Sequence, residues 1–180
     1  FPRLKLYLTE DITQRIYEKL MDGELDLIIL ALPYALRNTE VQPLFCDRFY
    51  LACREDTEHL NPTNYDIENL EPETVLLLED GHCLRDHALS ACHLQDIEKI
   101  SRFAASSLLT LVQMLDADLG VSYLPELVIG STLLAGTAVK LWPIAEESYR
   151  EVGLAWRRGS AREQEFLQLG EAIRTAKIVA

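Results

Sequence analysis

The stretch Asp11-Ile12-Thr13-Gln14-Arg15-Ile16-Tyr17-Glu18-Lys19-Leu20-Met21-Asp22-Gly23 runs directly into Glu24-Leu25-Asp26-Leu27-Ile28-Ile29-Leu30-Ala31-Leu32-Pro33. The hydrophobic pattern changes between the two halves. Ile12, Ile16 and Leu20 recur at helical spacing, with Tyr17 beside them, which predicts a helix with one apolar face. Asp11 can cap its start and Gly23 can stop it. Leu25 to Leu32 is then apolar apart from Asp26, and Pro33 ends the run. A short continuous apolar run predicts a strand buried on both faces. A helix feeding a buried strand points to an α/β architecture with a largely parallel sheet.

The alternation extends outward from this stretch. Upstream, Leu4-Lys5-Leu6-Tyr7-Leu8 reads as an alternating strand with no lead-in, and the chain opens on Phe1-Pro2 without a Met, so it reads as a fragment. Downstream, Val41 to Phe45 reads as a crossing segment and Phe49 to Cys53 as a further strand. The polar stretch from Glu55 to Glu73 reads as loop with one short helix, and Val75 to Leu78 as a second buried strand. Ser106 or Ser107 can cap a helix through Leu115, with Gly120 as its stop. Strands are expected at Val121 to Leu124, Val139 to Trp142 and Val152 to Trp156. A last amphipathic helix carries Phe166, Leu169 and Ile173.

Composition narrows the function classes. The chain has 180 residues, 48% of them apolar and 26% charged, which suits a globular protein with a substantial core. No apolar run approaches the roughly 20 residues of a membrane span, so no membrane partner is expected. The formal charge of −12 repels phosphate backbones, which excludes a broad nucleic-acid face built from these residues. Four cysteines are too few for a disulfide scaffold, and no secretory signal opens the chain. They read as thiols of a cytoplasmic protein.

Three of the four histidines and two of the four cysteines fall between His82 and His93. The segment reads Leu78-Glu79-Asp80-Gly81-His82-Cys83-Leu84-Arg85-Asp86-His87, then Cys92-His93. It begins where a buried strand ends, the place where open α/β sheets gather their chemistry. With Asp80 or Gly81 as cap, Cys83 lies in the first turn of a helix. The helix dipole, His82 and Arg85 there all favour a thiolate. The plain alternative is a buried, inert cysteine. If Cys83 and Cys92 share one helix, about 13.5 Å of rise separates them, whereas a disulfide needs Cα atoms within roughly 7 Å. Bonding would require unwinding, and such a pair would be a switch. If the segment is a loop, they are two nearby thiols. A metal site on Cys83, His87, Cys92 and His93 is the chemical rival, but the spacing has no C-x-x-C knuckle. No metal or cofactor is expected. Cys46 and Cys53 read as buried small hydrophobes, and His59 as a solvated loop residue. No hydrolase, P-loop or dinucleotide motif is present.

On these residues, Leu78 to Asp86 with Cys92 nine positions after Cys83, the chain resembles the redox segment of the OxyR family, the peroxide-sensing LysR-type transcription regulators. Leu20 to Leu27, Gly120-Val121-Ser122-Tyr123-Leu124-Pro125 and Val152-Gly153-Leu154-Ala155-Trp156 look like elements of LysR effector domains, so the resemblance covers nearly the whole chain. It implies a two-lobed fold like a periplasmic binding protein, with the lobes joined by two crossover strands. Residues 1–44 and 152–180 would form regulatory subdomain I, without its first strand and helix. Residues 45–151 would form subdomain II, carrying the redox segment 78–94. Cys83 would be the peroxidatic cysteine and Cys92 the resolving one. Thr13 would bind peroxide or its attendant water, and His82 would position the oxidant. Arg85 and Asp86 would hold the reduced segment, and Arg150 would stabilise the thiol's charge. The implied protein is a non-enzymatic, homodimeric or homotetrameric activator of the oxidative stress response. Its partners would be hydrogen peroxide, a thiol reductant such as glutaredoxin, and promoter DNA through an upstream winged helix-turn-helix absent from this chain. A LysR-type domain binding a small metabolite, and a thiol peroxidase, are the alternatives.

Overall fold

Helix α1 (Thr13–Asp22) ends at Gly23, as the pattern predicts, and buries Leu20 while its charged face stays in solvent. Its start differs from expectation. Ile12 occupies the cap position, and Asp11 Oδ1 accepts the Ile12 N–H one step earlier, at 2.9 Å. Asp11 also pairs with Lys19 and Arg15, and these contacts hold its carboxyl below the ordinary range. The computed structural model describes residues 4–66, 69–92, 94, 96–144 and 147–179.

The chain forms two compact units, Phe1–Phe45 with Val152–Ala180, and Cys46–Glu151. It passes from one to the other twice, within β2 (Thr39–Arg54) and within β7 (Tyr149–Arg157). The two predicted segments at Val41–Phe45 and Phe49–Cys53 are thus one continuous strand of 16 residues.

In the first unit β1 (Leu27–Leu32) lies beside β7, and β7 beside β2. The core has two faces. Leu20 of α1 packs with Ile28, Leu30 and Ala155. Phe166 of the final helix α4 (Glu163–Val179) packs with Leu44, Leu154 and Trp156. β1 is less enclosed than its sequence suggests, because Ile29 remains 49% exposed on the strand's outer row. The expected strand over Leu4–Leu8 is not formed. Residues 4–10 adopt no regular element, and Tyr7 and Leu8 are exposed. An alternating segment becomes a strand only where a neighbour pairs its backbone groups.

The second unit is built around β3 (Val75–Leu78), the short buried strand read from the sequence. Successive side chains point to opposite faces. Val75 and Leu77 join Phe49, Leu51, Ala88 and Tyr123, while Leu76 and Leu78 join Leu111, Val112, Leu115 and Leu124. Helix α2 (Cys83–Ala91) covers the first face through Ala88, and α3 (Leu108–Asp116) covers the second. Ser107 caps α3 by accepting the Thr110 N–H. β3 pairs in parallel with β4 (Ile100–Ala105). β2, by contrast, runs antiparallel to β5 (Ser122–Pro125) and β6 (Val139–Pro143). The largely parallel sheet expected from the alternation therefore does not extend to β2 with β5 and β6, while β3 is paired in parallel. Parallel pairing requires a crossover helix between the strands, and β2 enters from the other unit without one. The stretch 55–73 forms no α-helix among its described residues.

Gly120 does not stop α3, which already closes at Ala117. Its function is close approach. A Cβ there would lie 2.3 Å from the Thr74 carbonyl oxygen. That contact lets Val121 N donate to Thr74 O and Leu76 N donate to Val121 O, stitching β5 against β3. The strand that carries the His-Cys segment is thus fixed on both sides.

Candidate functional site

The segment after β3 turns through Glu79–His82 and enters α2 at Cys83. Gly81 has φ of 94°, a backbone conformation that suits glycine, and it redirects the chain into the helix. The cap is His82, not Asp80 or Gly81, and its side chain makes no capping bond. Cys83 is therefore the first residue of the helix, half-buried, with the helix dipole behind it. Its sulfur has no hydrogen-bond or ion-pair partner among the described residues.

Arg85 has a different role from the one its charge suggested. Its Nη1 donates to Leu78 O at 3.0 Å, and its Nε pairs with Asp80 at 2.9 Å. The guanidinium clips the first turn of α2 to the end of β3, and Asp80 already balances its charge. The Asp80 carboxylate is solvent-exposed, so that pair adds little, and the bond to the backbone carbonyl is the firmer tie. Asp86 is exposed and has no ion-pair partner among the described residues. It contributes a carboxylate in the first turn, where the dipole favours one.

Cys92 closes α2 as its C-terminal cap, with its N–H donated to Ala88 O at 3.0 Å. The two thiols thus stand at opposite ends of one helix, about 13.5 Å apart in rise. Cys92 packs against the core with Tyr65, Trp142 and Ile144. Burial pushes its thiol up to about 12. α2 itself is short, with Ala88 its one fully buried residue and Leu84, Leu89 and Ala91 packed against the core, and an isolated helix of this length is marginal in water.

The other predicted residues fall as follows. Thr13 is buried at the start of α1 in the first unit. Arg150 of β7 donates from Nε and Nη2 to Asp47 Oδ2 at 3.0 and 2.8 Å. Asp47 is completely buried, and its Oδ1 accepts the Leu127 N–H at 3.0 Å. The sequence reading missed Asp47, although it stands two residues before Phe49 in a strand of alternating burial. The same phase corrects Cys46, which is exposed rather than buried. Cys53 is buried as expected, and burial pushes its thiol up to about 11. His59 is exposed, but its Nε2 lies 2.9 Å from Asp118 O. Among the described residues no group of three or more His, Cys, Asp or Glu converges as a metal site, and His93 lies outside those residues.

This geometry sets an order of thiol reactivity. Cys46 and Cys83 should react with maleimide well ahead of Cys53 and Cys92 at neutral pH, as read by peptide mass spectrometry. Equal rates at all four would contradict the burial. Cys53 and Cys92 hold their protons more tightly folded than unfolded. The stability they contribute is therefore whole below pH 9.0 and is lost as pH rises towards about 11 and about 12.

Comparison with known proteins gives the frame for this site. The model of the LysR substrate binding domain matches residues 1–177. The chain belongs to the LysR family. The HTH-type transcriptional regulator EstR of Acinetobacter baylyi is 35% identical over 92% of this chain and 55% of its own length. The hydrogen peroxide-inducible genes activator of Escherichia coli O6:H1 is 37% identical over 97% of this chain and 57% of its own length. Among solved structures, the OxyR2 E204G regulatory domain of Vibrio vulnificus is 39% identical, with a TM-score of 0.93, covering 98% of this chain and 85% of that one. This LysR-type domain therefore has the fold of the OxyR regulatory domains, the periplasmic-binding-protein-like fold. It spans about half the length of the curated relatives it matches. Those relatives are transcriptional regulators by name. Among the described residues no helix is long and apolar enough to cross a membrane.

Proposed function

We propose that this domain senses hydrogen peroxide for a LysR-type transcription regulator, with Cys83 as the reacting thiol and Cys92 as the resolving one. One observation carries the reading. The two thiols sit at the two ends of one short helix, one in the first turn and the other packed against the core. The Cys83 thiolate attacks one peroxide oxygen. The S–O bond forms as the O–O bond breaks, and the departing hydroxide takes a proton to become water. Sulfur is oxidised to a sulfenic acid and peroxide is reduced. Cys92 then loses its proton and attacks Cys83 Sγ. The S–S bond forms, the S–O bond breaks, and a second water leaves. Because about 13.5 Å separates the thiols, α2 must unwind for this step.

In this reading His82 positions the oxidant at the cap, Arg85 tethers the reduced segment, and Asp86 supports the first turn. Thr13 is the hydroxyl proposed for peroxide, and Arg150, whose charge Asp47 already balances, is the cation proposed for the thiol's charge. The sensor acts once per oxidation and does not turn over. It works in the cytoplasm as a homo-oligomer, is reset by a thiol reductant such as glutaredoxin, and acts on promoter DNA through a winged helix-turn-helix outside residues 1–180. Subdomain I is residues 1–44 with 152–180, and subdomain II residues 45–151.

Brief treatment with micromolar peroxide followed by peptide mapping is the test. The expected product is a Cys83–Cys92 disulfide. It should be abolished in Cys83→Ser and replaced by over-oxidised Cys83 in Cys92→Ser. A bridge from Cys83 to Cys46 or Cys53 would overturn the pairing. The match to the LysR substrate binding domain favours one other reading, a metabolite-binding domain. A ligand-induced rise in melting temperature that persists in Cys83→Ser would support it.

A further inference from the structure

Leu94 stands two residues past Cys92. Among the described residues from 92 to 100 it is the one that is buried, at 8% exposure, in the core cluster of Val75, Leu77 and Ala88. Asp96, Ile97 and Glu98 beyond it are exposed. The Leu94 N–H donates to Leu89 O at 3.0 Å, while the Cys92 N–H donates to Ala88 O. A donor two residues past the helix cap that reaches back five residues makes a Schellman closure, and a hydrophobic contact between the same two positions commonly accompanies it. Leu89 packs against the cluster to which Leu94 belongs. Cys92 is thus held inside a closure fastened by one backbone bond and one buried leucine.

This closure opposes disulfide formation. The Cys83 end of α2 is tied to β3 and β4, by Arg85 on Leu78 O and by the Glu79 N–H on Ala105 O. Cys92 has to come roughly 6.5 Å nearer along the helix axis, the difference between the rise of nine helical residues and the reach of a disulfide. Two residues span at most roughly 7 Å when fully extended. Leu94 could keep its place only with residues 92–94 drawn straight, whereas the closure reverses the chain there. The geometry points to Leu94 as the residue that sets the dithiol–disulfide balance of Cys83 and Cys92, because its burial belongs to the dithiol form alone. It is a positioning residue that acts through Cys92. The inference rests on the cysteine pairing of the proposed function and not on which oxidant Cys83 meets.

The sign follows from which form loses contacts. Truncating Leu94 weakens the dithiol form and leaves the disulfide form as it is, so the balance moves towards disulfide. Leu94→Ala should move it by at least about tenfold and Leu94→Val by about threefold. Leu94→Met nearly conserves the volume and should stay close to the parent. A leucine that only supported the fold would be buried in both forms. Its truncation would lower the stability of both and leave the balance where it was.

The experiment equilibrates the 180-residue chain with glutathione and glutathione disulfide at set ratios, without peroxide. The exposed Cys46 is replaced by Ser in every sample so that it cannot exchange. The two protein thiols lose two electrons and two protons as their S–S bond forms, and one glutathione disulfide takes these up to become two glutathione thiols. Acid quenching and peptide mapping then read the fraction of Cys83–Cys92 disulfide. The expected order of disulfide stability is Leu94→Ala, then Leu94→Val, then Leu94→Met with the parent. The valine variant decides the question if the alanine variant does not fold. A balance that stays put in the truncated variants, or moves towards dithiol, overturns the inference. A chain that forms no Cys83–Cys92 bond at any ratio overturns it together with the pairing. A pair that forms and follows Leu94 but never responds to peroxide supports the inference and overturns the peroxide reading instead.

Discussion

Asp47→Ala is expected to lower the stability of the chain by about 3–5 kcal/mol, among the largest losses any single substitution here should cause. The Asp47 carboxylate is completely buried and binds two things at once. Oδ2 receives Arg150 Nε and Nη2, and Oδ1 receives the Leu127 N–H at the turn after β5. Truncation leaves a guanidinium only 14% exposed without its counter-charge, and a backbone donor without its acceptor. The loss follows from the stranded partners, since an intact buried pair contributes modestly against its own desolvation. Two controls separate the terms. Asp47→Asn keeps a carbonyl oxygen for Leu127 N and should cost less. Asp47→Leu combined with Arg150→Met removes both charges and should recover part of the loss. The readout is thermal or urea unfolding, where a fall of on the order of 10 °C in Tm is expected for the alanine variant. An alanine variant as stable as the parent would show that Arg150 finds water or another carboxylate without cost.

Asp47 also marks how far the sequence could be read. The elements were legible wherever one period ran uninterrupted, as in α1, β3 and α3, because burial of one face dictates that period. Gly23 ends α1, Ser107 starts α3 and Pro125 closes β5 by local backbone chemistry. β2 was misread as two pieces because its buried rows change phase. Gln42 and Leu44 face inward on even numbers, then Asp47, Phe49 and Leu51 on odd ones. The change falls where the chain passes from one unit to the other, and each unit imposes its own inside. A strand that serves two cores cannot show a single alternation. The same change left Cys46 outside and drew a carboxylate inside, which the composition of the strand gave no reason to expect. Leu4–Leu8 failed for the opposite reason. Its alternation is clean, but strand formation depends on a partner that a local pattern does not contain.

At the site, the thiols and their spacing were legible because helix geometry follows from residue number alone. The partners of Arg85 were not. A positive charge two residues from a thiol reads as an electrostatic aid, yet folding gave that charge to Leu78 O and Asp80. The pocket around Cys92 was equally hidden, since Tyr65 and Tyr123 are 58 positions apart and meet only through the tertiary core.

The second large effect concerns that helix. On oxidation, residues 81–94 are expected to lose amide protection by at least about tenfold, while β1 and β5 keep theirs. The reduced helix gives this prediction its sign. Cys92 N–H bonds to Ala88 O, Arg85 N–H bonds to His82 O, and the helix rests on the core through Ala88 with Leu84, Leu89 and Ala91 beside it. A disulfide demands Cα atoms within roughly 7 Å, about half the rise that nine helical residues impose. The bond and the helix are therefore exclusive. Forming the first breaks several i to i−4 hydrogen bonds and pulls Cys92 out of its pocket, with Leu84 and Leu89 losing their place against the core. β3 provides the fixed reference, being held on one side by β4 and on the other by the Thr74–Val121 stitch. Hydrogen exchange followed by mass spectrometry on reduced and oxidised chain reads this directly, and Cys92→Ser treated with peroxide controls for oxidation without a bond. Identical exchange over residues 81–94 in the two states would mean that the disulfide is accommodated without unwinding. The cysteine pair would then carry no conformational signal, and a regulator using this domain would have to take its information from another ligand.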